Sequence, residues 1–333
     1  MDSKELREKY SKLSVLVCGD MCLDKDFIGR YSGYSREVEQ LPIFRTEIEK
    51  YNPGGGGNLS VCFSTLGVKT KIAGFWGGED DINRYILEKS FKMRNIDTSG
   101  MVIGSRTPTF GKVYLRSGIH IYRIDLVSEP VSEEMIYKLA SKIQEIMPSV
   151  DFVACADYEE ASDFGVCSEE VVDTVRKSTL PKFGTSRARI KRFKGFDYML
   201  QNTKEITDQT SLDKNIDIQA IVYDFIKKLG TKEFIVTMGG KGATAFRLDI
   251  NDTNKLESIL VSSEELTGNI DPCGCGDMFY AAYSASIMAG YDTETSIKIA
   301  NSAARVVARK LFGTGQATPE EIAQEYNILY KDK

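Results

Sequence analysis

Short apolar runs that close on a polar residue recur along this chain, and stretches with helical spacing separate them. Ser14 to Asp20 (SVLVCGD) is the first such run, as expected of a buried parallel strand whose carboxyl end opens onto a site. From about residue 30 to 50, polar and apolar positions alternate without a helical period, which predicts an exposed hairpin or small sheet. LSVCFSTLG then has helical spacing up to Gly67, and Thr70 to Gly77 reads as the next strand. A second alternating stretch, Thr107 to Leu126, predicts another hairpin, and a long helical pattern follows from Ser132 to Ile146. Asp151 to Asp157 is again a buried strand with an acidic end. The alternation continues through a helix at Ser168 to Lys177, a strand at Tyr198 to Asn202, a helix at Ile216 to Leu229 and a strand at Glu233 to Gly240. Two helices, Gly276 to Ala289 and Thr293 to Leu311, close it. This order predicts an α/β protein with a doubly wound, mostly parallel sheet, and the two hairpins predict a small β lid. Ligands of such sheets bind beyond the carboxyl ends of the strands, which singles out Asp20, Asp24, Asp157, Asn202 and Thr237.

Composition removes several function classes. The 333 residues carry 48 acidic against 43 basic side chains, a formal charge of −5, so the basic footprint that nucleic acid or an anionic membrane requires is missing. The first twelve residues are polar, and no apolar run approaches the roughly 18 residues of a membrane span, so a cytoplasmic protein is expected. Seven cysteines in apolar or Gly-rich settings read as reduced thiols, and Cys18/Cys22 and Cys273/Cys275 lack the spacing of a zinc site. With His120 as the single histidine, acid–base chemistry falls to carboxylates, Lys, Tyr or Cys.

Three glycine-rich segments carry candidate chemistry. Asp271-Pro-Cys-Gly-Cys-Gly-Asp277 runs into a helix, and glycines there leave bare N–H groups at the positive end of the helix dipole, where an anion binds. Asp277 reads either as a favourable first-turn carboxylate or as a base that takes a proton from an attacking hydroxyl. Pro53 to Asn58 (PGGGGN) reads as a turn with a helix cap on Asn58, or as a stretch bare enough for a ligand to approach the backbone. It is no Walker loop, since the Lys-Ser/Thr ending is missing and no strand directly precedes it in this reading. Thr237 to Ala243 (TMGGKGA) reads as a hairpin turn or as a ligand loop at the sheet's open end.

Taken in order, GDMCLD, PGGGGN, NTKE, TMGGKG and DPCGCGD resemble the ribokinase (PfkB) family of sugar kinases over nearly the whole chain. SREVEQLPIFR, YRIDL and ADYEEA make it look most like the heptose-phosphate kinase branch. The resemblance implies a ribokinase-like three-layer sandwich, residues 1–333 as one kinase domain, with a lid from about 30–50 and 107–126. It implies Asp277 as general base, with the N–H groups of Gly274, Cys275 and Gly276 as anion hole. Asp24, Gly54, Gly55, Asn58 and Asp157 match acceptor-binding positions. Asn202 and Glu205 match the Asn-x-x-Glu pair that orders Mg²⁺ and its waters. Thr237, Gly239 and Gly242 match the ATP loop, and Asn301 a residue beside the adenine. Asp271 is similar to the start of a monovalent-cation loop, which implies K⁺ there, and dimerisation through lid strands is the family's habit.

Two departures bear on the acceptor. The heptose branch has Lys-Gly where this chain has Glu160 and Ala161, and Asp-Pro-Lys where it has Gly184, Thr185 and Ser186. Loss of both lysines argues against a phosphorylated acceptor. Arg187, Arg189, Lys191 and Arg192 could compensate, or form one solvated charged helix. The expected activity is ATP-dependent phosphorylation of a hydroxyl on a small sugar-like substrate. A nucleoside kinase of the same fold and a non-catalytic sugar- or nucleotide-binding regulator are the other readings.

Overall fold

The computed structural model describes residues 1–126, 130–158, 165–209 and 217–331. Its strands are β1 (Ser14–Gly19), β2 (Met21–Tyr34), β3 (Pro42–Gly55), β4 (Lys69–Trp76), β5 (Asp97–Ile103), β6 (Thr109–Leu115), β7 (His120–Leu126), β8 (Phe152–Asp157), β9 (Lys182–Ser186), β10 (Tyr198–Asn202), β11 (Glu233–Thr237), β12 (Gly242–Leu248) and β13 (Leu256–Ser262). The helices are α1 (Ser3–Tyr10), α2 (Gly56–Leu66), α3 (Ile82–Lys92), α4 (Glu133–Ile146), α5 (Glu169–Arg176), α6 (Thr203–Asp208), α7 (Ile218–Leu229), α8 (Cys275–Met288), α9 (Thr293–Ala308) and α10 (Pro319–Tyr330).

Nine strands form one sheet in the order β13-β12-β11-β10-β9-β8-β1-β4-β5, parallel from β11 to β5 and antiparallel at the β12 and β13 edge. Both faces are buried, which is why β1 and β8 read as continuous apolar runs. Val15 and Val17 pack into the layer containing α2, α8 and α9, while Leu16 and Cys18 pack into the layer containing α4, α5 and α7. The result is a three-layer α/β/α sandwich. Side chains start most of these helices: Asp217 caps α7, Asp292 caps α9 and a Thr318/Glu321 capping box starts α10. The exceptions that matter are α2 and α8, whose N-cap residues, Gly55 and Gly274, have positive φ and offer no side-chain cap.

A second, four-stranded sheet, β3-β2-β6-β7, is the small sheet that the two alternating stretches predict as a lid. The expected hairpin at 107–126 is β6 and β7. The other arm is longer than the 30–50 read from the alternation: β2 begins at Met21 and β3 runs to Gly55. PGGGGN is accordingly no turn. A strand does precede it, because Pro53 to Gly55 pair with Leu23 to Met21 before α2 begins at Gly56. Two facts reconcile the glycines with a strand. β3 is the edge of the sheet, where proline is tolerated. A Cβ on Gly54 would lie 2.7 Å from the Cys22 Sγ, so only glycine lets the two strands close here.

Register divides the lid into two unlike faces. Asp24, Asp26, Lys50, Asn52, Phe110, Lys112 and Arg123 share the inner face. Phe27, Tyr51, Val113, Tyr122, Ile124 and Leu126 share the outer one, where Tyr122 is 65% and Ile124 50% exposed.

Candidate active site

A cavity of about 670 Å³ opens where the carboxyl ends of β10 and β11 and the turn after β1 meet the inner face of the lid. Its wall brings together Asp20, Asp24, Gly55, Asn202, Glu205, Thr237, Gly274, Gly276 and Asp277, all singled out by the sequence.

Asp277 sits in the first turn of α8, half-buried, with both carboxylate oxygens engaged by neutral donors. Asn58 Nδ2 donates to Oδ2 at 2.6 Å, and the Tyr158 hydroxyl donates to Oδ1. Burial pushes the Asp277 carboxyl above its usual range, and those two hydrogen bonds with the charge of Arg187 pull it partly back. Gly274 and Gly276 flank the carboxylate on the wall, whereas the Cys275 amide donates to the Pro272 carbonyl at 3.2 Å.

On the lid side, Asp24 accepts from Lys112 Nζ at 3.1 Å, a pair with 9% and 13% of its side chains exposed. Lys112 also reaches the Cys273 Sγ at 3.8 Å and so touches the loop before α8. Burial opposes its charge, but Asp24, Cys273 and Asp26 together hold it above the ordinary lysine range. Asp20 pins the wall between these groups. Its carboxylate accepts from the amides of Tyr158 at 2.9 Å and Val166 at 3.1 Å, and its carbonyl accepts from Gly56 at 2.9 Å.

Asn202 and Glu205 form a reciprocal capping box on α6, each bond 2.9 Å. Burial raises the Glu205 carboxyl. Among the described residues, no three His, Cys, Asp or Glu side chains converge to hold a metal by themselves.

Other sequence-selected residues lie off the wall. Asn58 does not cap α2, which begins at Gly56; it is fully buried inside that helix, donating to Asp277 and accepting from Gln316 Nε2 at 3.1 Å. Gly54 lies behind Gly55. Asp157 is fully buried and bound by Ser186 Oγ at 2.7 Å and Arg189 Nη2 at 2.6 Å. Gly239 and Gly242 bracket the hairpin between β11 and β12 with φ of 60° and 106°. Asn301 donates to the Val261 carbonyl at 3.2 Å and to the Tyr330 hydroxyl at 3.3 Å. Asp271 accepts from the amides of Cys273 at 3.0 Å and Phe312 at 3.2 Å.

The solvated-helix reading of the basic stretch is corrected. Ile190–Phe193 is a short 3₁₀ turn pulled inward by buried Ile190 and Phe193. Arg189 is 13% exposed, because buried Asp157 requires a cation. Arg187 lies on the cavity wall with its guanidinium 5.1 Å from the Tyr158 ring. Glu160 and Ala161 fall outside the described residues. Thr185, at the other departure, is on the wall.

Sequence reasoning missed Tyr158, Lys112 and Gln316. Lys112 left a trace as a lone cation in an alternating strand, and Tyr158 followed an acidic strand end. Gln316 left none. All seven cysteines are free thiols, and no described helix is long and apolar enough to cross a membrane.

Known proteins resemble this chain in sequence and in fold. Residues 13–320 match the pfkB family carbohydrate kinase profile. The bifunctional protein HldE of Vibrio parahaemolyticus is 24% identical over 326 residues, covering 96% of this chain and 65% of the relative. The HldE of Gluconobacter oxydans is 27% identical over 320 residues, covering 93% and 64%. The chain thus spans just under two thirds of the length of these relatives. Among solved structures, Arabidopsis thaliana ribokinase complexed with ribose and ATP superposes with a TM-score of 0.71 at 17% identity, over 94% of this chain and 98% of that one. Escherichia coli phosphofructokinase-2 in complex with potassium gives 0.76 at 14%, over 95% and 98%. With the profile matched over all but the two ends of the chain, this protein belongs to the pfkB family of carbohydrate kinases.

Proposed function

We propose that this chain, as one kinase domain over residues 1–333, transfers the γ-phosphoryl group of ATP to a hydroxyl of a sugar or sugar derivative. The observation that carries the reading is Asp277, at the uncapped start of α8, facing a cavity closed on the far side by Asp24 and Lys112 of the lid. The acceptor hydroxyl gives its proton to the Asp277 carboxylate as its oxygen bonds to the γ-phosphorus and the bond to the ADP oxygen breaks. Donors at the α8 N-terminus stabilise charge on the moving group, with Gly274 and Gly276 better supported than Cys275, whose amide is already bonded. Asn58 and Tyr158 hold the base in place. Asp24 and the Gly54–Gly55 backbone receive the acceptor, and the lid keeps water out.

Asn202 and Glu205 supply oxygen donors suited to Mg²⁺ and its waters, at the wall beside Thr237. When bound, Mg²⁺ neutralises triphosphate charge. ATP itself lies toward Thr237, Gly239, Gly242 and Asn301. Potassium at Asp271 has weaker support, since both carboxylate oxygens already accept amide hydrogens. The exposed apolar outer face of the lid supports a homodimer formed through it, and a cytoplasmic location goes with this reading.

A second reading, an acceptor that carries a phosphate, is favoured by Arg187 on the wall. An ATP-consumption screen over ribose, fructose 6-phosphate, heptose, heptose 7-phosphate and nucleosides tests both, run with wild type and Asp277→Asn. ATP consumption with one acceptor that Asp277→Asn abolishes supports the proposal. Equal rates in the two proteins refute the role of Asp277, and a nucleoside as best acceptor replaces the sugar.

A further inference from the structure

The inner face of the lid holds a second carboxylate that the reaction does not use. Asp26 is fully buried, and among the described residues neither of its side-chain oxygens has a hydrogen-bond partner. Two lysines flank it in register, Lys112 on β6 and Lys50 on β3. Neither is on it. Lys50 donates to the Phe312 carbonyl at 3.0 Å. Lys112 starts beside Asp26 but reaches one rung along the sheet to Asp24, whose own register partner on β6 is Phe110. Asp26 is sealed from above by Gly313, where a Cβ would lie 3.3 Å from its Oδ2 and 2.7 Å from Asn52 Nδ2. Burial raises the Asp26 carboxyl; Lys112 and Lys50 act against that, and Asp24 and Asp271 add to it.

We infer that Lys112 has two carboxylate seats, Asp24, where it sits in this structure, and Asp26, once acceptor hydroxyls occupy Asp24. The inference rests on the reading of Asp24 as the acceptor's carboxylate. An acceptor hydroxyl that takes the Oδ2 of Asp24 competes with Lys112 for that oxygen, and parting a buried carboxylate–ammonium pair is costly unless the cation finds another partner. Asp26 supplies the partner at the rung from which the lysine side chain already springs. A buried carboxylate left without any donor is otherwise unexplained in a well-packed sheet. Asp26 is on this account a positioning residue: it acts on the acceptor through Lys112 and touches neither substrate.

A crystal structure of Asp24→Asn without ligands tests the second seat directly. Lys112 Nζ is expected within hydrogen-bonding distance of an Asp26 oxygen; a lysine that stays beside the substituted side chain and Cys273, with Asp26 still bare, overturns the inference. Kinetics of Asp26→Asn with the fastest acceptor of the screen give the second readout. The acceptor KM is expected to rise about tenfold or more, the low end for one charge-assisted hydrogen bond, with the ATP KM unchanged and Tm equal or higher. An acceptor KM that does not move, whether or not Tm rises, marks Asp26 as a mere buried burden and overturns the inference. Asp24→Asn kinetics separate the two claims: an unchanged acceptor KM there sinks the reading of Asp24, while the crystal structure still decides where Lys112 goes.

Discussion

Two carboxylates face the same cavity and are held in opposite ways. Asp277, at the floor, is gripped by an amide and a phenol, both neutral, so its negative charge is oriented without being cancelled. Asp24, in the roof, is neutralised by a lysine. In the proposed reaction this difference separates their roles. A carboxylate surrounded by neutral donors keeps affinity for a proton, whereas one that exchanges an ammonium for hydroxyls is suited to recognition.

The largest expected effect attacks the floor. Asp277→Asn should lower kcat by on the order of 10² to 10⁴ with Tm and ATP affinity near wild type, measured by steady-state kinetics and calorimetry. Wild-type turnover in that variant removes the contrast altogether. Next comes the roof: Asp24→Ala should cost about 1.5 to 3 kcal/mol of acceptor binding, roughly 10-fold to 150-fold in acceptor KM, while the ATP KM stays put. If Tm falls and neither KM moves, Asp24 is only structural.

Tyr158→Phe sharpens the comparison by removing one neutral grip. The Asp277 carboxyl should then titrate higher, so activity should begin to fall at a higher pH than in wild type as pH is lowered. An unmoved acid limb in the kcat/KM profile means the phenol does not tune the base. For the acceptor, an unphosphorylated or differently charged sugar should give a higher kcat/KM than heptose 7-phosphate, because both branch lysines are absent. The reverse preference, lost in Arg187→Ala, would assign the phosphate to that guanidinium. The smallest effect on catalysis belongs to the outer face: Ile124→Glu should shift sedimentation from dimer toward monomer with modest change in kcat. A monomeric wild type ends the proposal of a lid-mediated dimer.

Strands β1, β4, β8, β10 and β11 of the large sheet were legible because burial on both faces leaves unbroken apolar runs such as SVLVC and FVACA, whereas β5, β9, β12 and β13 were not read from the sequence. The lid was only half legible. Alternation revealed Thr107 to Leu126, but Met21 to Phe27 (MCLDKDF) sets three charged residues after three apolar ones and shows no alternation, and glycines in PGGGGN look like a turn until the neighbouring strand is present. The site split along the same line. Residues on glycine-rich loops before helices, such as Gly274 and Asp277, announce themselves through local chemistry. Partners that arrive from distant elements do not: Gln316 is 258 positions from Asn58, and no local pattern pairs them. Asn58 and Asp157 were picked out by position, while their hydrogen bonds, to Asp277 and Arg189, depend on tertiary packing.

Asp20 has a consequence for how a single substitution could spread through this protein. One carboxylate fastens the amides of both Tyr158 and Val166, and both residues line the cavity. Tyr158 in turn grips Asp277 through its hydroxyl. A change confined to Asp20 therefore reaches the cavity wall at two places and the floor carboxylate at one remove, so that one half-buried side chain works as a keystone for groups it never touches.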